Sequence, residues 1–193
     1  RDAPPSLKTD DMPTTAGTRV TPQPQRFEQR GFTVDLRGWA IASSNKSADL
    51  AVEQLAAATG GTLAGSVASL PAGKPFIAMG LPSEDKALLD LAAKRKLWNG
   101  HLKAGDEGYV LEVSKDSVLL LGSDAAGEFW GVQSLKQLLG KGTSVGGCHI
   151  VDWPDFPIRG AYVRSSAHRP PGSRVSRESV AGTWIAFFQA CPQ

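Results

Sequence analysis

The sequence predicts an α+β fold, a mixed or antiparallel sheet with helices packed on it. Three observations carry that expectation. Tyr109, Leu111 and Val113 alternate with Val110, Glu112 and Ser114, the period of two of a strand. Val118 to Leu121 is a continuous apolar run, suited to a strand covered on both faces. From Asp124 to Leu139, Phe129, Val132, Leu135, Leu138 and Leu139 recur at helical steps, so they share one face. Elsewhere strand-like and helix-like stretches mix without strict alternation, which argues against a purely parallel sheet.

Residues 1–19 are polar and contain Pro4, Pro5 and Pro13. They bury little apolar surface and are expected to form a tail. Val20 to Gln25 is kept extended by Pro22 and Pro24. Arg26 to Val34 has hairpin character, with Gly31 between two short β-prone pieces. Trp39 to Ala42 reads as a strand. Asn45 or Ser47 then caps a helix over Ala48–Thr59, with Leu50, Ala51, Leu55 and Ala58 at helical spacing and Gly60-Gly61 as its stop. Thr62 to Gly73 is a weak strand plus a loop, and Phe76 to Gly80 is a short apolar strand. Pro82 and Ser83 open a charged helix with Leu88, Leu89, Leu91 and Ala92 towards the core. Its end carries Lys94, Arg95 and Lys96, where the helix dipole favours cations. Asn99-Gly100 is the following stop.

Lys115-Asp116 is a polar turn between two apolar runs. Ser123 or Asp124 caps the last long helix, and Glu128 suits its positive end. Gly127 and Gly131 lie four apart on that helix. Each costs roughly 1 kcal/mol of helix stability against Ala. A close backbone approach to the sheet is the expected compensation.

The run Phe129-Trp130-Gly131-Val132-Gln133-Ser134-Leu135-Lys136-Gln137-Leu138-Leu139 resembles F-[YW]-G-[VL]-Q-[ST]-L-x-Q-L-L. That pattern belongs to the small domain preceding the catalytic barrel in glycoside hydrolase families 20 and 84, the β-N-acetylhexosaminidases and their relatives. Asp152-Trp153-Pro154-Asp155-Phe156-Pro157-Ile158-Arg159-Gly160 resembles the family segment D-x-P-x-F-x-x-R-G, which leads into the first barrel strand. Val20 to Gln25 is similar to the P-x-P lead-in of the same domain. The resemblance implies residues 20–153 as the N-terminal domain, a sheet packed with two main helices, zincin-like without the metal site, and 154–193 as the truncated or divergent start of a barrel. It implies a non-catalytic accessory role in an enzyme acting on N-acetylhexosamine-containing glycans. The alternative is a stand-alone glycan- or protein-binding module.

In those families the substrate's acetamido oxygen attacks the anomeric carbon, and an acidic pair after the fourth barrel strand assists. A barrel needs about 250 residues, so no position here matches that pair. Asp152 and Asp155 flank Trp153-Pro154 and read as turn caps at a domain junction. No catalytic residue is therefore assigned. Arg159 is the one residue carried over, as a binder of sugar hydroxyls through its forked donors. The chain departs from both families after Gly160, where Ala161-Tyr162-Val163 is followed by Arg164. Trp130, Trp153, Tyr162 and Trp184 suggest sugar-stacking platforms, but Trp130 sits in a packing motif. A helix over Glu178–Ala190, with Val180, Trp184, Phe187 and Phe188 on one side, needs somewhere to bury that side. Homodimerisation through 156–193 is the specific expectation that follows.

Net charge is +2, which argues neither a nucleic-acid footprint nor a membrane surface. No apolar run is long enough to span a bilayer. The start, Arg1-Asp2-Ala3-Pro4-Pro5, reads as a trimmed mature end, and a secreted or periplasmic placement is expected. Cys148 and Cys191 either pair or remain two thiols. His101, His149 and His168 stand far apart. Neither a metal site nor a cofactor is expected.

Overall fold

The computed structural model describes residues 20–44, 49–97 and 107–156. All belong to one unit of the chain, which runs to Pro157. In order they form β1 (Arg26–Asp35), β2 (Ala40–Ser43), α1 (Asp49–Thr59), β3 (Thr62–Gly65), β4 (Phe76–Gly80), α2 (Lys86–Lys94), β5 (Tyr109–Val113), β6 (Ser117–Gly122), α3 (Ala125–Leu139) and β7 (Ser144–Asp152). One 3-10 turn, Val67–Ser69, lies between β3 and β4.

Seven strands make one mixed sheet in the order β1-β7-β5-β6-β4-β2-β3. β6, β4, β2 and β3 run parallel to one another. β5 to β6, β5 to β7 and β1 to β7 are antiparallel. The mixed α+β expectation therefore holds. Three helices, α1, α2 and α3, pack on the sheet among the described residues.

The helices divide between the sheet's faces. Ala51 and Leu55 of α1, with Val132 and Leu135 of α3, pack on Ile41, Ile77, Met79, Leu111 and Leu120. On the opposite face Leu88 and Ala92 of α2 pack on Ala78, Val110, Leu119 and Leu121. The central strand β6 is buried along its whole length, as its unbroken apolar run requires.

Three local readings are corrected. Arg26 to Val34 is not a hairpin but belongs to one ten-residue edge strand, β1, whose register against β7 shifts between Gln29 and Thr33. Gly31 lies within that irregularity, where one strand carries extra residues. α2 opens at Lys86, not at Pro82-Ser83, because Asp85 caps it by accepting from the Ala87 and Leu88 N–H groups. Leu89, expected in the core, is exposed. β7 is an element that the reading above does not contain. The expectations placed on 1–19, Asn45, Ser47, Asn99-Gly100 and 157–193 lie outside the described residues.

The glycines of α3 stand where expected. A Cβ on Gly127 would collide with the Gly108 carbonyl oxygen, and one on Gly131 would lie 3.0 Å from the Leu120 side chain. The helix is thereby seated closely over β5 and β6.

Candidate functional site

Arg159 lies outside the described residues, as do Tyr162, Trp184, His101, His168 and Cys191. Asp152 and Asp155 are described. Both accept hydrogen bonds from Gln25. The Gln25 backbone N–H reaches Asp152 Oδ1 at 3.1 Å, and its side-chain Nε2 reaches Asp155 Oδ1. A glycosidase acid is tuned by an apolar setting that favours its protonated form. Asp155 is exposed and already engaged, so the pair lacks that setting.

The packing expectation for Trp130 is also corrected. Its side chain is 44% exposed. It meets Phe129 edge-on, with ring centroids 5.3 Å apart, and donates Nε1–H to Glu107 at 3.3 Å. Trp153 is half-buried and packs against the core on the α2 face.

A group that the sequence reading missed lies on the face of the sheet opposite α1 and α3. Glu112 points there because Leu111 and Val113, its neighbours on β5, fill the first core. In the β5–β7 ladder Glu112 stands opposite His149. Its Oε2 meets His149 Nδ1 at 2.9 Å, and its Oε1 meets Arg30 Nη1 at 2.5 Å. The carboxylate accepts, so His149 Nδ1 carries the proton. Ser114 Oγ also donates to Glu112 Oε1, at 3.4 Å, and itself accepts from Arg95 Nη1 at 3.0 Å. Arg95 continues to Asp116 at 3.4 Å.

The Glu112 side chain is only 5% exposed. Burial pushes its carboxyl up. The His149 hydrogen bond and the Arg30 guanidinium outweigh that, so it lies below the usual carboxylate range. On the same strand Tyr109 hydrogen-bonds Ser134 of α3 at 2.7 Å, and burial pushes its phenol well above the ordinary value. Cys148, next to His149, is a buried free thiol pushed up to about 12 by burial and then by the Glu112 charge.

This arrangement neutralises charge rather than doing chemistry. Glu112 is committed to Arg30, His149 and Ser114 and has little exposure to a substrate. Among the described residues, no group of three or more His, Cys, Asp or Glu side chains is placed to hold a metal ion. The alternation on β5 puts Glu112 opposite the core in the sequence alone. Its partners become visible only once β7 is known to lie between β1 and β5.

The fold has solved counterparts. CpGH84D superposes with a TM-score of 0.66 at 18% identity, covering 76% of this chain and 25% of that one. CpGH84B gives 0.55 at 19% identity, covering 70% and 22%. The β-N-acetylhexosaminidase from Bacteroides fragilis NCTC 9343 gives 0.49 at 18% identity, covering 72% and 25%. This chain thus spans about a quarter of the length of these proteins. A search of curated proteins gave no match. Glycosyl hydrolase family 20, domain 2, matches residues 17–153, which take in every strand and helix described above. With its mixed seven-stranded sheet and the α3 motif in place, the chain belongs to that domain family.

Proposed function

We propose that the chain is the non-catalytic accessory domain of a β-N-acetylhexosaminidase-like glycoside hydrolase acting on N-acetylhexosamine-containing glycans. Its role is to pack on and shape a catalytic domain. The family match over 17–153 carries this reading. The chemistry supports it. Asp152 and Asp155 are taken up by Gln25, and Glu112 by Arg30 and His149. The test is hydrolysis of a chromogenic N-acetylglucosaminide by the purified chain. The expected result is no turnover above background. Turnover that disappears in Asp152→Asn or Asp155→Asn overturns the proposal.

A second reading, a module that binds a protein partner on its own, is favoured by one observation. The helices on one face expose Leu50 and Trp130, large apolar side chains. Calorimetry with chitin oligosaccharides separates a glycan module, which releases heat on binding, from a protein-docking one, which does not.

A further inference from the structure

β7 pairs with β5 as far as Asp152, opposite Tyr109, and the ladder stops there. Beyond it, Trp153 packs on the core of the α2 face, while Asp155 and Phe156 are exposed. The course of this exit segment is therefore not fixed by sheet pairing. Gln25 supplies what the ladder does not. Its N–H donates to Asp152 Oδ1, and its Nε2 donates to Trp153 O at 3.5 Å and to Asp155 Oδ1 at 2.5 Å.

Gln25 is itself held. The segment Val20–Gln25 lies against the domain with Val20 and Pro24 buried. At its start the Gln137 side chain, near the end of α3, grips Thr21 from both sides. Gln137 Oε1 accepts from the Thr21 N–H at 2.7 Å, and Nε2 donates to the Thr21 carbonyl at 3.0 Å. A carboxamide carries one acceptor and two donors in a plane, and so serves both backbone groups of one residue. Pro22 and Pro24 restrict φ between the two grips.

We propose that Val20–Gln25 is a strap fastened to α3 by Gln137, and that Gln25 is the positioning residue holding the chain on its course from Asp152 through Phe156. On the accessory-domain reading, the strap sets the direction in which the polypeptide leaves this domain. The strap itself does not depend on that reading.

The test is 15N relaxation on the full 193-residue chain. The parent is expected to show order parameters near about 0.85 at Trp153, Asp155 and Phe156, and Gln25→Ala to drop them below about 0.6, with β5, β6 and β7 unchanged. Gln25→Glu sets a third carboxylate beside Asp152 and Asp155. It should loosen the segment further at neutral pH, and less so at high salt, where the repulsion is screened. Gln23→Ala, on the same segment, should leave all values at the parent's. Equal order parameters in Gln25→Ala and the parent overturn the proposal. So does a parent segment already below about 0.6, or a loss of order in Gln25→Ala that spreads to the core strands. Failure here is distinct from failure of the functional reading, since glycoside turnover by the chain would end the latter and leave these values untouched.

Discussion

Arg30 of β1 and Glu112 of β5 form an ion pair over the top of β7, the strand that separates theirs in the sheet. The pair ties the edge strand to a central one without sharing a ladder with it. His149, on the strand crossed, fills the remaining side of the carboxylate. A buried carboxylate with both oxygens engaged is costly to disturb, because removing its charge leaves two donors facing a weaker acceptor.

Glu112→Gln should therefore lower stability by about 1–3 kcal/mol near neutral pH. The effect should depend on pH in a defined direction. The folded carboxyl lies below its ordinary value of 4.5, so its contribution is fully present above that pH and is lost as pH falls through the folded value. Asp35 and Asp116 are also held below their ordinary 3.8, chiefly by hydrogen bonds from Thr143 and Ser117, and they weaken the parent in acid too. The difference between parent and Glu112→Gln isolates Glu112. Urea melts from pH 7 to pH 3 should show that difference shrinking below pH 4.5. A constant difference would remove the ion pair as its cause.

Cys148 should be nearly inert in the native chain. Its thiol is buried and pushed from an ordinary 9.0 up to about 12. The reactive thiolate is thus about a thousandfold scarcer than for an exposed cysteine at the same pH. In a Cys191→Ser background, an aromatic disulfide reagent should modify Cys148 only on unfolding. Stoichiometric labelling within minutes in native buffer contradicts the burial.

How much of this was legible before the structure follows from which interactions are local. The α3 motif and the close approach of Gly127 and Gly131 are readable in the sequence, as is the cap to within Ser123 or Asp124, because each depends on spacing within one helix. β7 is not. Gly146 and Gly147 break its apolar pattern, and Gly147 is small because the Phe32 ring of β1 occupies the space a side chain would take. β1 looked like a hairpin because Gly31 suggests a turn, whereas long-range pairing with β7 holds it as a single irregular strand. The Arg30–Glu112–His149 group needs the strand order β1-β7-β5, which no local pattern encodes. Gln25 remained hidden for the same reason, since its partners lie more than a hundred residues away.

Tyr109 and Ser134 join β5 to α3 by a hydroxyl pair at 2.7 Å inside the core. Tyr109→Phe keeps the ring and its packing and leaves the Ser134 hydroxyl without that partner. The expected cost is about 1 kcal/mol in chemical denaturation. The double variant Tyr109→Phe with Ser134→Ala should recover part of it, because no buried hydroxyl is then stranded. If the two single costs simply add, the pair does not interact energetically.

The two glycines of α3 provide a sharper comparison, since both are helical and both would gain helix propensity as Ala. That gain is roughly 1 kcal/mol at each site. At Gly127 the added methyl meets backbone, the Gly108 carbonyl and its neighbours, which cannot rotate away. Either α3 lifts from the sheet or the 107–108 backbone shifts, and the Asp124 bonds to the Gly127 and Glu107 N–H groups are strained together. Overpacking of this kind typically costs about 1–3 kcal/mol. Rigid backbone places Gly127→Ala at the upper end, for a net loss of about 2 kcal/mol. At Gly131 the methyl meets the Leu120 side chain at 3.0 Å and the Tyr109 ring at 3.1 Å, groups that can give by a few tenths of an ångström. Gly131→Ala should therefore stay within about 1 kcal/mol of the parent. Urea denaturation of the two variants in parallel checks the ranking. Equal effects at both sites would show that the seat of α3 is set by its apolar face alone and not by the contact of Gly127 with the Glu107-Gly108 backbone.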